Sequence, residues 1–345
     1  MRSDFFVFLC SLLSIYASLN AQTLVLESNS DTTQLFIHIE LEGQKHKMLI
    51  DNGALKTILF LTATERSHFK KVSESKVIDP YNRESSIYII RKATLKIPEI
   101  DFQFKGSFAS LEDKPITLEE NNVDGILGLD ILSQLNYTIH FQTLEFSTLA
   151  PITLQNKEDW FPLPMINGAD QLQAVEVESF NNKKLLQRDT FVIDLGYNQV
   201  ACRPQTSKPK DVKALKLAFT ETVLGMKVDS SSFESADIQI GPMQVKNLPM
   251  SSSKAMESKL LGFRFFKAFG EVYFEGNSQT LWLKKTKTFS FSFEGEKVFK
   301  NRIVAQFIAI EDIDFPRSSI GSKVDDNYFP SKHKIIWPLT TFSEK

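Results

Sequence analysis

The chain has 345 residues, 42% of them hydrophobic, and a formal net charge of -2 from 40 basic and 42 acidic side chains. That length allows two lobes, each able to bury its own core, and the even charge balance argues against the basic footprint of a nucleic-acid binder. With 14 Gly and 13 Pro the composition excludes a fibrous or low-complexity chain.

Residues 1–21 read as a secretory signal peptide. Arg2 precedes an apolar run over residues 5–17 that is too short to span a bilayer comfortably, and the run ends in the small-residue stretch Ser18-Leu19-Asn20-Ala21. Cleavage after Ala21 predicts a secreted or periplasmic protein with no stable membrane span. Cys10 lies in the apolar run, which leaves Cys202 as the sole mature cysteine. No internal disulfide is then possible, and the fold must rest on packing.

Residues 34–41 alternate and are rich in β-formers; a turn at Glu42-Gly43-Gln44 leads into a second run ending at Asp51. This is a hairpin signal. Residues 86–96 and 101–108 read as further strands, Gly125-Ile126-Leu127-Gly128 as a short strand, and residues 129–135 as one or two helical turns. Strands at 137–141 and 144–149 close this first copy. Residues 150–168, with Pro151, Pro162 and Pro164, form a link.

The same order then repeats. A hairpin over residues 173–194 ends on Asp194, and strands are expected at 220–228, 236–240 and 243–248. Leu260-Leu261-Gly262 precedes a helical stretch at 263–269, and a strand pair at 271–274 and 280–284 follows. Both hairpins end in Asp-x-Gly, at Asp51-Asn52-Gly53 and Asp194-Leu195-Gly196. A repeat of this size implies two copies of one unit, packed so that each contributes a carboxylate. The expected organisation is residues 1–21 signal peptide, 24–150 first lobe, 151–285 second lobe, and 286–345 a C-terminal extension with strands near 289–293 and 303–310 and a loop at 317–331.

Two carboxyls a few ångströms apart cannot both ionise cheaply, so they share one proton over a wide acidic range. The ionised member can take a proton from water while its partner donates to a carbonyl oxygen. A glycine after each Asp lets the backbones approach closely. No metal or cofactor is needed for this chemistry. His38, His46, His68, His140 and His333 show no metal-ligand spacing, and no Gly-x-Ser-x-Gly elbow occurs. Cys202 and the phenylalanines of residues 263–269 read as core.

The doubled motif resembles the pepsin-like and retropepsin-like aspartic proteases, in a bacterial-type two-lobed form. Leu49-Ile50-Asp51, Gly53 and Ala54, supported by Ile126-Leu127-Gly128, match the first family motif. Val192-Ile193-Asp194 and Gly196, supported by Leu260-Leu261-Gly262, match the second. The resemblance implies a mostly β, two-lobed acid-protease-like β-barrel fold made of two tandem retropepsin-like repeats, with short helices. It implies Asp51 and Asp194 as the catalytic dyad and Gly53, Gly196 and Tyr88 as substrate-binding. It also implies a flap within residues 81–88, a polypeptide substrate or peptide ligand, and a monomer that is a single-chain pseudo-dimer.

The second motif departs from the family. Thr or Ser is usual between Asp and Gly, where its hydroxyl interlocks the lobes; here Asn52 and Leu195 occupy those positions, and Tyr197 stands where Ala or Ser is usual. Two readings stay open on the sequence: an exported aspartic endopeptidase, and a catalytically inactive peptide-binding or structural protein on the same fold.

Overall fold

The computed structural model describes residues 22–310 except 31, 70–71, 79–83, 149–151, 153–155, 169–170, 182–183, 205–217, 223–224, 230, 254–257, 277, 286–289 and 300–301. The expected signal peptide, residues 81–83 of the expected flap, part of the link and the expected loop at 317–331 lie outside the described residues.

The first half runs β1 (Thr23–Val25), β2 (Glu27–Ser28), β3 (Leu35–Leu41), β4 (Gln44–Ile50), β5 (Ile58–Phe60), α1 (Ala63–Ser67), β6 (Val72–Ile78), β7 (Glu84–Ile97) and β8 (Phe102–Leu111). It continues with α2 (Ile116–Glu120), β9 (Gly125–Leu127), α3 (Leu129–Leu132), β10 (Asn136–His140) and β11 (Glu145–Ser147). The second half runs β12 (Trp160–Pro164), β13 (Ile166–Asn167), β14 (Gln173–Asn181), β15 (Lys184–Asp194), β16 (Ala201–Pro204), β17 (Ala218–Thr222) and β18 (Gly225–Asp229). Then come β19 (Ser231–Ile240), β20 (Met243–Ser253), β21 (Leu260–Gly262), α4 (Phe263–Lys267), β22 (Glu271–Glu275), β23 (Thr280–Lys284), β24 (Ser290–Phe299) and β25 (Arg302–Ile310).

The pairing repeats strand for strand. In the first half β3, β4, β9, β5, β8 and β7 are neighbours in that order, and β3 pairs back onto β7. In the second half β14, β15, β21, β16, β20 and β19 follow the same order, and β19 pairs back onto β14. Each half is thus a closed six-stranded barrel, and the molecule is mostly β with few short helices, consistent with a two-lobed acid-protease-like fold. Closure also removes most exposed strand edges.

Local sequence explains the hairpins. Along β3 the side chains of Leu35, Phe36, Ile37, Ile39 and Leu41 are buried while His38 is exposed. Glu42 and Gly43, both at positive φ (48° and 85°), turn the chain into β4. A two-residue connection of this hand needs left-handed backbone at both positions, which glycine adopts without strain.

A third sheet lies across both halves. Its order is β1-β11-β10-β22-β23-β12, with β10 of the first half antiparallel to β22 of the second over five residue pairs from Asn136↔Glu275 to His140↔Glu271. One continuous buried cluster runs from Ile37 and Leu127 through Tyr137, Phe146 and Phe274 to Ile193 and Leu261. We call this third sheet the floor.

The structure departs from the sequence reading in several elements. β2, β5, α1, α2, β13 and β16 were not anticipated, and the stretch read as a link carries β12, which pairs with β23 from Trp160↔Lys284 to Pro164↔Thr280. The strand expected at 220–228 is two strands, β17 and β18, paired antiparallel from Ala218↔Asp229 to Thr222↔Gly225. Gly225 was the single turn signal in that stretch, with no second turn former beside it to mark the reversal. β6 was not anticipated, because Val72-Ser-Glu-Ser-Lys-Val carries little apolar alternation and is largely exposed. β1, too short to show periodicity, was also missed. In the C-terminal extension the two expected strands are present as β24 and β25, which pair with each other and add to β20 through Lys246↔Ser290.

Candidate active site

Each Asp-x-Gly loop emerges from a barrel strand that is backed by a buried one. Met48, Leu49 and Ile50 pair in parallel with Gly125, Ile126 and Leu127, and the Asp51 N–H donates to the Leu127 carbonyl at 3.1 Å. Val192, Ile193 and Asp194 pair in parallel with Leu260, Leu261 and Gly262. The Leu129 N–H donates to the Ala54 carbonyl and the Phe263 N–H to the Tyr197 carbonyl, both at 2.7 Å. Glycine is required beneath each loop. A Cβ on Gly128 would lie 2.6 Å from the Lys56 carbonyl carbon, and one on Gly262 would lie 2.2 Å from the Gln199 carbonyl oxygen.

The two loops meet. A Cβ on Gly53 would fall 2.4 Å from Asp194 Cγ, and a Cβ on Gly196 would fall 2.4 Å from Asp51 Cγ. Each glycine is therefore the plate against which the opposite carboxyl rests, and the two carboxyls share a hydrogen bond. The Gly53 N–H donates to Asp51 Oδ1 at 2.7 Å, and the Tyr197 N–H donates to Asp194 Oδ1 at 2.7 Å.

Burial raises both acids, but unequally. Asp51 lies above its ordinary value of 3.8 because of desolvation, offset by the bond from Asp194 and by the amides of Gly53, Gly196 and Ala54. Asp194 lies well above that value, first through desolvation and then through the negative charge of Asp51. Each carboxyl opposes ionisation of the other, so the pair shares one proton. One carboxylate beside one carboxylic acid is what acid–base catalysis needs.

The residues between Asp and Gly have different surroundings. Asn52 is 1% exposed; its Nδ2 donates to the Tyr137 hydroxyl at 2.9 Å, and its Oδ1 has no hydrogen-bond partner among the described residues. Leu195 is likewise 1% exposed and belongs to the apolar cluster shared by the two halves. Tyr197 does not stand between the carboxyls. Its ring lies over Gly262, where a Cβ would be 2.6 Å from Cδ1, and its hydroxyl is 2.9 Å from Ser251 Oγ. The ring that stands where the family usually has Ala or Ser is thus anchored in the second barrel.

Tyr88 lies on β7, 39% exposed, with the Arg66 guanidinium 4.1 Å from its ring centroid. Arg66 is buried in α1, where it donates to the Leu61 carbonyl and pairs with Glu112 at 2.8 Å. Asp51, Asp194, Gly53 and Gly196 therefore converge, whereas the contact recorded for Tyr88 is with α1. β6 and β7 pair from Val72↔Ile90 to Ile78↔Glu84, forming a hairpin in the region where a flap was expected.

Three further polar groups brace the first loop. Thr57 is fully buried; its N–H and Oγ1 both lie 2.8 Å from Asp130 Oδ1, and its Oγ1 accepts the Gly128 N–H at 3.1 Å. Asp130 is itself raised by burial. Tyr137, whose phenol burial pushes well above the ordinary value, completes the set. Sequence reasoning missed all three. Asp130 was findable, two residues beyond the supporting Gly128; Tyr137 carries no local signal. Among the described residues no cluster of His, Cys, Asp or Glu is arranged to hold a metal ion.

No protein-family model matches the chain. Among characterised proteins, Protein DDI1 homolog 1 of Homo sapiens is 27% identical over 156 residues, which is 44% of this chain. The aligned stretch spans 38% of that protein's own length. This distant similarity and the paired barrels together support an aspartic-protease-like fold. No helix among the described residues is long and apolar enough to cross a membrane.

Proposed function

We propose that the chain is an exported aspartic-type endopeptidase acting as a single-chain pseudo-dimer on a polypeptide substrate. The observation that carries the reading is the shared hydrogen bond between the Asp194 carboxyl, which is buried, and the partly buried Asp51 carboxyl, each seated on the opposite loop's glycine. Asp51, as the anion, takes a proton from a water molecule while the oxygen of that water attacks the scissile carbonyl carbon. Asp194 gives its proton to the carbonyl oxygen, forming a neutral tetrahedral diol. The C–N bond then breaks as Asp51 gives its proton to the departing amine nitrogen and one diol hydroxyl gives its proton to Asp194, which restores the starting dyad. The export part of the reading is supported by the apolar run of residues 5–17 and the small residues before Gln22.

Leu195 favours the rival reading, a non-catalytic peptide binder, since it brings no hydrogen-bonding group to the middle of the second loop. One experiment separates the two. Purified protein is incubated with denatured polypeptide between about pH 3 and 7, beside Asp51→Asn and Asp194→Asn variants. Endopeptidase function requires cleavage that falls by roughly 10²–10⁴-fold in either variant. Binding without cleavage in all three would leave the inactive module standing.

A further inference from the structure

We propose that the Asn52–Tyr137 hydrogen bond is a positioning device that fixes the Asp51 loop to the floor sheet; this inference rests on the dyad reading above. Asn52 stands between Asp51 and Gly53, and the peptide linking Asn52 to Gly53 carries the N–H that donates to Asp51 Oδ1 at 2.7 Å. Gly53 is also the plate against which the Asp194 carboxyl rests. A displacement of the Asn52 backbone would therefore move a donor to one acid and the seat of the other. What holds the Asn52 side chain is a single bond, from Nδ2 to the Tyr137 hydroxyl at 2.9 Å.

Tyr137 cannot follow a moving loop. Its ring is stacked between Phe146 of β11, at 4.9 Å and 10°, and Phe274 of β22, at 4.7 Å and 16°. Phe274 is also its register partner across the β10–β22 pairing. The hydroxyl thus belongs to a frame built by both halves, and the bond relays that frame to the Asp51 loop. The second loop has no counterpart, because the equivalent residue is Leu195. One loop is tethered to the floor by a polar bond, and the other is held by apolar packing.

The test is a double-mutant cycle of Tyr137→Phe and Asn52→Ala in the purified protein carrying ¹³C-carboxyl aspartate. The carboxyl resonances of Asp51 and Asp194 are assigned with their Asn variants and titrated. Loss of the tether misaligns the Gly53 donor, so the Asp51 titration rises while that of Asp194 falls. The gap between them should narrow by about one pH unit in each single variant, with the double variant no worse than either single. The kcat for a polypeptide substrate should drop about tenfold with KM changed less than twofold. A bond that merely adds stability would lower the melting temperature and leave the gap unchanged in both single variants; that result, or strictly additive changes, overturns the proposal. If the wild type cleaves no polypeptide the endopeptidase reading falls, and the titration still decides the role of the tether.

Discussion

At the scale of single residues, the site depends on two absent side chains. A methyl at Gly53 or Gly196 would occupy space already held by the opposite carboxyl, 2.4 Å from its Cγ. Relief requires the loops to separate, which would break the shared hydrogen bond. Gly53→Ala and Gly196→Ala are each expected to reduce cleavage at least 100-fold, roughly what loss of positioned acid–base catalysis costs, while circular dichroism stays native. Wild-type rates in either variant would show that the glycines are not seats. Asp194 makes a separate prediction through linkage. Its pKa is raised in the folded protein, so its contribution to stability is complete at low pH and is lost as pH rises from the ordinary value of 3.8 through the raised one. Asparagine mimics the protonated acid and does not titrate. Asp194→Asn should therefore match wild type in thermal stability at the acid end and surpass it progressively as pH increases; a constant difference across pH would refute the proton assignment.

At the scale of elements, the two halves share a topology but differ in how the first turn after each Asp is tied. Six residues after Asp51 stands Thr57, whose hydroxyl bridges Asp130 and the Gly128 N–H. Six residues after Asp194 stands Val200, whose carbonyl accepts the Gly262 N–H at 2.8 Å. Thr57→Val strands a buried donor at Gly128 and removes one of the contacts on Asp130. It should cost about 1–3 kcal/mol in denaturant unfolding, whereas Val200→Thr on the other side should restore nothing. Equal tolerance at both positions would mean that the Thr57 bridge contributes nothing to the first loop. The repeat itself was legible in the sequence because a strand ending in Asp-x-Gly, and a buried strand ending in Gly, each leave a dense local signature. Barrel closure was not legible. The β3–β7 and β14–β19 pairings join residues far apart in the chain through backbone bonds that any alternating sequence can make. Likewise the orientation of Tyr197 depends on Ser251, fifty-four positions away.

At the scale of the whole molecule, the floor sheet makes two copies into one body. β10 and β22 pair across the boundary, and the rings of Tyr137, Phe146 and Phe274 stack through it. Phe141 adds an edge-on contact with Phe263 at 5.3 Å, and Phe266 lies 6.5 Å from Phe274. Because one apolar cluster runs through both barrels, neither half can unfold without exposing part of the other's core. The protein should therefore unfold in a single transition reported alike by near-UV and far-UV circular dichroism. Phe274 is the sharpest probe of that coupling, being 2% exposed and in contact with rings from both halves. Phe274→Ala should lower stability by about 3–5 kcal/mol, the usual cost of emptying a buried aromatic site. The midpoint should shift at constant m-value if the halves remain one cooperative unit. A second transition in the wild type, or a Phe274→Ala effect confined to one of two transitions, would show that the halves are separately folding domains and that the floor only rests against them.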